Sequence, residues 1–232
     1  MKKQVVGSMT EWSGVLKEVV RQMCDGELTR EQCQLFVEHK NPFSEQPTDD
    51  LIDWVVVWQN FYKEVFDLEV VLSGIVIPKK KKGFDRLLVL VPRMTPQRLF
   101  DKCKELFGAG KWTDWNLDEV FLSERGGAYA VWVRDRVEPD VELKNRSANG
   151  LKRKSISGIT LEERFIYELK YFKETGKHLD ISNRTLCPGS SSSQSEGGVP
   201  DVGWRGRDDR LDVNWCRPNH VYDDIRAREV VS

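Results

Sequence analysis

The side chains best suited to acid–base, nucleophilic or metal chemistry gather near the C-terminus of this 232-residue chain. Asp208, Asp209, Asp212, Asp223 and Asp224 offer oxygen ligands to a hard cation. The EF-hand spacing is absent, however, and such a site needs several convergent carboxylates together with carbonyls. Cys216 becomes a nucleophile only beside a base; His220 is near in sequence, but no third member accompanies it. His39 and His178 stand in unrelated contexts. No HExxH, GxSxG, Walker A or GxGxxG motif occurs, and Gly203-Trp204-Arg205-Gly206 is too short to cradle phosphate. Cys24, Cys33, Cys103, Cys187 and Cys216 are odd in number, scattered and without a CxxC pair. That points to free thiols in a reduced compartment, and away from a disulfide framework or structural zinc. The sequence thus predicts no catalytic residue, no metal and no cofactor.

What the same stretch does carry is a surface. Pro200-Asp201-Val202-Gly203-Trp204-Arg205 and Leu211-Asp212-Val213-Asn214-Trp215-Cys216 both alternate at period two. Successive strand side chains point to opposite faces, so Val202, Trp204, Leu211, Val213 and Trp215 form a uniform buried scaffold. Asp201, Gly203, Arg205, Asp212, Asn214 and Cys216 fall on the outward face, where an acid, a glycine, a base, an amide and a thiol share no logic. Gly206 to Arg210 is polar and turns, which makes the two segments a hairpin-like pair.

The remaining elements must position that pair. Met9 to Cys24 predicts an amphipathic helix with Met9, Trp12, Val15, Leu16, Val19, Val20 and Met23 on one face, closed by Gly26. Thr29 to Gln32 is a capping box for a second helix ending near Lys40, before Asn41-Pro42. A third helix, Asp50 to Phe66, buries Leu51, Trp54, Val55, Trp58, Phe61, Tyr62 and Val65 as core. Glu69 to Ile77 reads as a strand, Lys79 to Lys82 as a solvated loop, and Arg86 to Val91 as a strand. Thr95-Pro96 caps a helix running through Phe107, and Gly127 to Val133 is another strand. Asp135 to Lys154 reads as a charged surface connector. Thr160-Leu161-Glu162-Glu163 is a capping box for a helix to about Thr175, closed by Gly176, with Leu161, Phe165, Ile166, Leu169 and Phe172 on one face. His178 to Ile181 is a short extended piece, and Cys187 to Gly198 a loop on the surface of the patterned strands.

Composition bounds the class. Hydrophobic residues at 39% suffice for a core, and the net charge of −1 draws the chain to neither nucleic acid nor anionic lipid. A lone tetralysine without interleaved aromatics is no nucleic-acid patch. The N-terminus lacks the apolar run of a signal peptide, and no stretch approaches the ~18 residues of a membrane span. The expected location is the cytoplasm, with a virion or surface display as the other setting. Every lysine lies at or before Lys177.

Gly158-Ile159-Thr160-Leu161-Glu162-Glu163-Arg164 through Phe172, Glu174 to Asp180, Thr185-Leu186-Cys187, Gly198-Val199-Pro200, Leu211 to Trp215 and Ile225 to Ser232 together resemble the variable proteins of diversity-generating retroelements. The resemblance covers residues 158–232 and implies a C-type-lectin-like fold of the formylglycine-generating-enzyme type. It also implies a hypervariable C-terminal surface that binds varied ligands, usually proteins, after adenine-directed rewriting of AAC-type codons. Formylglycine-generating chemistry does not carry over, because no pair of catalytic cysteines is visible. The codon rule supplies a check: changing the first two bases of AAC cannot give Lys, Gln, Met, Glu or Trp. Between Val199 and Arg226 there is no Lys, Gln, Met or Glu, and the Trp residues are the inward Trp204 and Trp215.

The expected architecture is therefore α+β: a helical module at 1–66, an α+β section at 67–135, and a C-type-lectin-like domain at 136–232 with its variable region at about 199–226. The expected function is ligand-binding display, with an unidentified protein as partner and no enzyme activity. Its surface would be Asp201, Gly203, Arg205, Asp212, Asn214, Cys216, Arg217, Asn219, His220, Tyr222, Asp223 and Asp224. Tyr222 and Arg217 are the expected energetic anchors, and Ile225 to Val231 the closing strand. The alternatives are a hydrolase using the Asp cluster and His220, or a phage-associated assembly protein that oligomerises through residues 9–66.

Overall fold

A computed structural model of the chain describes residues 9–25, 28, 30, 34, 37, 49–112, 114, 116–193 and 197–232. The chain is a mixed α and β protein that divides into two compact units, Met1–Val56 and Val57–Ser232. No helix among the described residues is long and apolar enough to cross a membrane.

In the first unit, α1 (Met9–Cys24) forms where the 3.6-residue period predicts it. Arg21 pairs with Glu18 at 2.8 Å and with Asp25 at 2.5 Å, one turn to either side. Of its apolar row, Leu16, Val20 and Met23 are exposed by 61%, 57% and 43%. The helix expected at 29–40, its capping box, and Gly26 lie outside the described residues, apart from isolated helical positions. Helix α2 (Asp49–Phe66) runs across the boundary at Val56. Its C-terminal half supplies the aromatic core predicted for it: Trp58, Phe61 and Tyr62 are fully buried and touch edge to face or tilted, and the Tyr62 hydroxyl donates to the Val89 carbonyl at 2.7 Å.

The larger unit is built around α6 and a five-stranded sheet. Strands β1 (Arg86–Leu90) and β4 (Tyr129–Val133) pair antiparallel. Between them lie α3 (Pro96–Phe107), β2 (Ala109–Lys111), the short α4 (Leu117–Val120) and β3 (Phe121–Ser123). The Thr95 hydroxyl accepts the Arg98 amide and starts α3. A 3-10 turn at Val141–Leu143 and α5 (Ala148–Arg153) precede α6 (Leu161–Thr175), whose capping box forms as read: Thr160 accepts from Glu163 N and the Glu163 carboxylate accepts from Thr160 N. The remaining strands are β5 (Arg184–Leu186), β6 (Ser190–Ser192), β7 (Val199–Arg205), β8 (Arg210–Cys216) and β9 (Ile225–Ala227). The main sheet has the order β2-β8-β7-β5-β9, and β3 pairs with β6. Strand pairing therefore crosses the boundary expected at residues 135/136: β2 joins β8, β3 joins β6, and Trp132 bridges Val231.

Three expectations are corrected. Glu69 to Ile77 is irregular rather than a strand, because Ser73-Gly74 turns after Leu72 and leaves Val71 and Val76 in solvent. Residues 135–154 are no loose connector: Asp140 is buried under Arg134, which also holds Glu229, and Leu143, Ala148 and Leu151 enter the core. Ser190 to Ser192 forms a strand instead of a loop.

Helix α6 buries Phe165, Ile166 and Leu169, and Phe165 meets Phe100 of α3. Its charged residues are buried too. Arg164 contacts Glu168 and Asp180, each at 2.7 Å. Asp180, held at φ +57°, also accepts from Thr185 Oγ1 and pairs with Arg228. Arg228 donates onward to the Arg136 and Val137 carbonyls. Two carboxylates on Arg164 and a carboxylate, a hydroxyl and two carbonyls on Arg228 offset their desolvation, although Arg164 Nη2 is buried without a hydrogen bond. The network ties the C-terminal segment to α6 and β5.

Candidate functional site

β7 and β8 pair from Val199↔Cys216 to Arg205↔Arg210, so the alternation read in the sequence becomes two real faces. Facing residues of an antiparallel pair share a side. Val202, Leu211 and Val213 are fully buried, on the side that α3 and α6 cover. Trp204 and Trp215 are half-buried at the margins: Trp204 stacks on the His178 ring and meets Phe107, and Trp215 leans on Trp112.

The opposite face departs from expectation, because four of its six predicted residues, Asp201, Gly203, Asp212 and Cys216, are not at the surface. Asp201 is 2% exposed, Asp212 6% and Cys216 7%. Cys216 sits in an apolar cluster with Leu143, Ala148, Leu151, Leu186, Val199 and Ala227, since α5 and the 3-10 turn cap that end of the face. Burial pushes its thiol up to about 12, which removes it as a nucleophile and as an exposed contact. Gly203 is buried because the Arg184 side chain lies over it; a Cβ there would stand 2.8 Å from Arg184 Cγ. Asp212 is clasped by Arg205, approached by Arg210 at 3.7 Å, and accepts from Asn214 at 3.0 Å. Arg205 and Asn214 are half-exposed.

Asp201 is the least comfortable of these groups. Arg184 Nη2 pairs with its Oδ1 at 2.5 Å and donates to its backbone carbonyl at 3.4 Å, while the buried Arg184 Nε is left without a hydrogen bond. Burial pushes the Asp201 carboxyl up to about 6, opposed by Arg184 and reinforced by the carboxylates of Asp224 and Asp212.

The exposed part of the predicted surface is the loop 217–224 between β8 and β9. Arg217, Asn219, His220, Tyr222, Asp223 and Asp224 are all exposed. The loop is fixed at three points. Pro218 O accepts the Asn149 amide at 3.0 Å, Asn149 Nδ2 donates to Asn219 Oδ1 at 2.6 Å, and Arg184 N donates to Asp224 O at 2.7 Å. His220 and Tyr222 meet edge to face, with Nδ1 and Oη 3.1 Å apart. Asp208 and Asp209 lie in the β7–β8 turn, and Asp208 pairs with Arg205 at 3.2 Å. Among the described residues no three His, Cys, Asp or Glu side chains converge as a metal set, and no contact joins His220 to Asp212.

Sequence reasoning missed Arg184 and Arg210, whose side chains floor the polar face. The available signal was Gly203: an interior strand glycine often marks a close approach by a neighbour, here the Arg184 stem.

No protein-family model, curated protein or solved structure matches this chain.

Proposed function

We propose that the chain is a ligand-binding display protein of the retroelement-diversified kind, with residues 136–232 contributing a C-type-lectin-like scaffold and with proteins as ligands. The display surface is the loop 217–224 with Arg205 and Asn214 beside it. Asp201, Gly203, Asp212 and Cys216 leave the proposed contact set and become its floor. The observation that carries this reading is a run of exposed, chemically unrelated side chains slung between two strands of one sheet and tied down through backbone and Asn149. Rigid feet with free side chains suit a surface that must accept many sequences, and Tyr222 and Arg217 are its natural anchors.

The test is a library randomising Arg217, Asn219, His220, Tyr222 and Asp223. Most members should keep the parent's thermal transition, and selection should yield binders to several unrelated proteins. Widespread misfolding, or binders to none, sinks the reading. An adenine-rich, near-identical copy of the 3′ coding end beside a reverse-transcriptase gene is the genomic counterpart.

One observation favours a second reading as an assembly protein: the exposed Leu16, Val20 and Met23 on α1. Leu16→Glu with Val20→Glu should then lower the mass measured by sedimentation.

A further inference from the structure

Asp212 on β8 has a glycine as its cross-strand partner on both sides, Gly203 on β7 and Gly110 on β2. With no Cβ on either neighbour, arginine side chains lie down over both. A Cβ at Gly203 would stand 2.8 Å from Arg184 Cγ. One at Gly110 would stand 2.9 Å from both Cζ and Nε of Arg210 and 3.3 Å from its Nη2. Three guanidinium atoms at nearly one distance mean that Arg210 rests face-down on Gly110, which turns its other face to solvent. Its side chain is 42% exposed, and its Nε, pressed against the glycine, makes no hydrogen bond. Arg210 Nη2 stands 3.7 Å from Asp212 Oδ1 while Arg205 clasps Oδ2, so both guanidinium edges turn in toward one carboxylate. Elsewhere this chain covers guanidinium faces with rings: Arg86 and Arg228 stand over Tyr167, Arg98 over Phe66 and Arg134 over Phe84. Among the described residues no ring stands over Arg205 or Arg210.

We propose that Arg210, with Arg205 beside it, is a stacking platform for an aromatic side chain that a protein partner presents. The charges favour a ring over an acid. Arg205 and Arg210 share Asp212, Arg205 also pairs with Asp208, and Arg184 pairs with Asp201 on the same face. Three guanidiniums thus already meet three carboxylates. An anionic partner would meet those carboxylates as well, whereas a ring laid on the exposed face leaves every in-plane ion pair intact. Aromatic anchors also dominate the energetics of protein interfaces. That the ring belongs to a protein rests on the function proposed above; the platform itself is a property of the sheet.

The test is NMR on the full chain, following the arginine Nε–H signals as N-acetyltryptophanamide is added. Ring currents should move the Arg210 signal about fivefold further than that of Arg207, whose 85%-exposed side chain makes it the internal control. Gly110→Ala should bring the Arg210 response down to the Arg207 level. The new methyl meets the far end of a flexible side chain, so the guanidinium lifts while the backbone stays. If Gly110→Ala fails to fold by circular dichroism, Arg210→Lys replaces it, and the Gly110 amide, which moves with the ring in the wild type, should stand still. Equal responses at Arg210 and Arg207, or a response that survives the substitution, overturn the platform. So does N-acetylaspartate moving Arg210 further than the tryptophan amide does, which marks an anion site. Adenosine moving it further than the tryptophan amide assigns the face to free planar bases and overturns the protein partner. A loop library without binders beside an intact Arg210 response sinks the display function and spares the platform; binders beside a silent Arg210 do the reverse.

Discussion

Asp201 is a carboxyl buried on the polar face of the main sheet. Its folded carboxyl is raised to about 6 from an ordinary 3.8. Such a group adds stability that is fully present below the unfolded value and is lost as pH rises through the folded one. Stability measured by denaturant should therefore fall between about pH 4 and about pH 7, by roughly 2 kcal/mol from this residue. Asp201→Asn should flatten that slope. Cys216 yields a second residue-level expectation. With its thiol buried among aliphatic side chains and that of Cys24 exposed, a disulfide reagent should label Cys24 at least ~100-fold faster in the native chain. Neither residue's environment was legible in the sequence. A period-two pattern separates two faces but does not say which face another element will cover. The cover over Cys216 comes from Leu143, Ala148 and Leu151, in a stretch whose charge reads as solvent-facing.

Elements with their own local code were legible. Thr95-Pro96 and the Thr160/Glu163 box state helix starts through hydrogen bonds that need only neighbouring residues, and the alternating β7 and β8 state their own pairing. Elements decided by distant partners were not: Ser190–Ser192 becomes a strand because Phe121–Ser123 lies beside it, and Glu69–Ile77 fails for want of such a neighbour and because of its turn. Two substitutions probe how the elements are joined. Arg164→Met would leave Asp180 and Glu168 buried with a missing counter-charge, and should cost about 3–5 kcal/mol in denaturant unfolding. Gly158→Ala would place a Cβ 2.1 Å from Pro188 Cγ, where a rigid ring cannot yield. A loss of about 1–3 kcal/mol is expected, against a few tenths for an unconstrained site.

At the scale of the molecule, the expected sections at 67–135 and 136–232 are woven together. β2 forms the edge of the sheet that contains β7 and β8, and Trp132 and Val231 bridge across the same divide. A chain cut to 136–232 should accordingly lack dispersed amide signals in NMR, whereas 57–232 keeps every strand pair of the larger unit. The loop between Cys216 and Ile225 has both feet planted, one opposite Val199 and the other opposite Arg184, and beyond the second foot Arg228 is bonded to Asp180. Adding or deleting a residue there would slide Ile225 along its neighbour and pull Arg228 out of its carboxylate. Such a segment can be respelled letter by letter but never re-spaced, so a lineage exploring new partners through it would change its words at constant length.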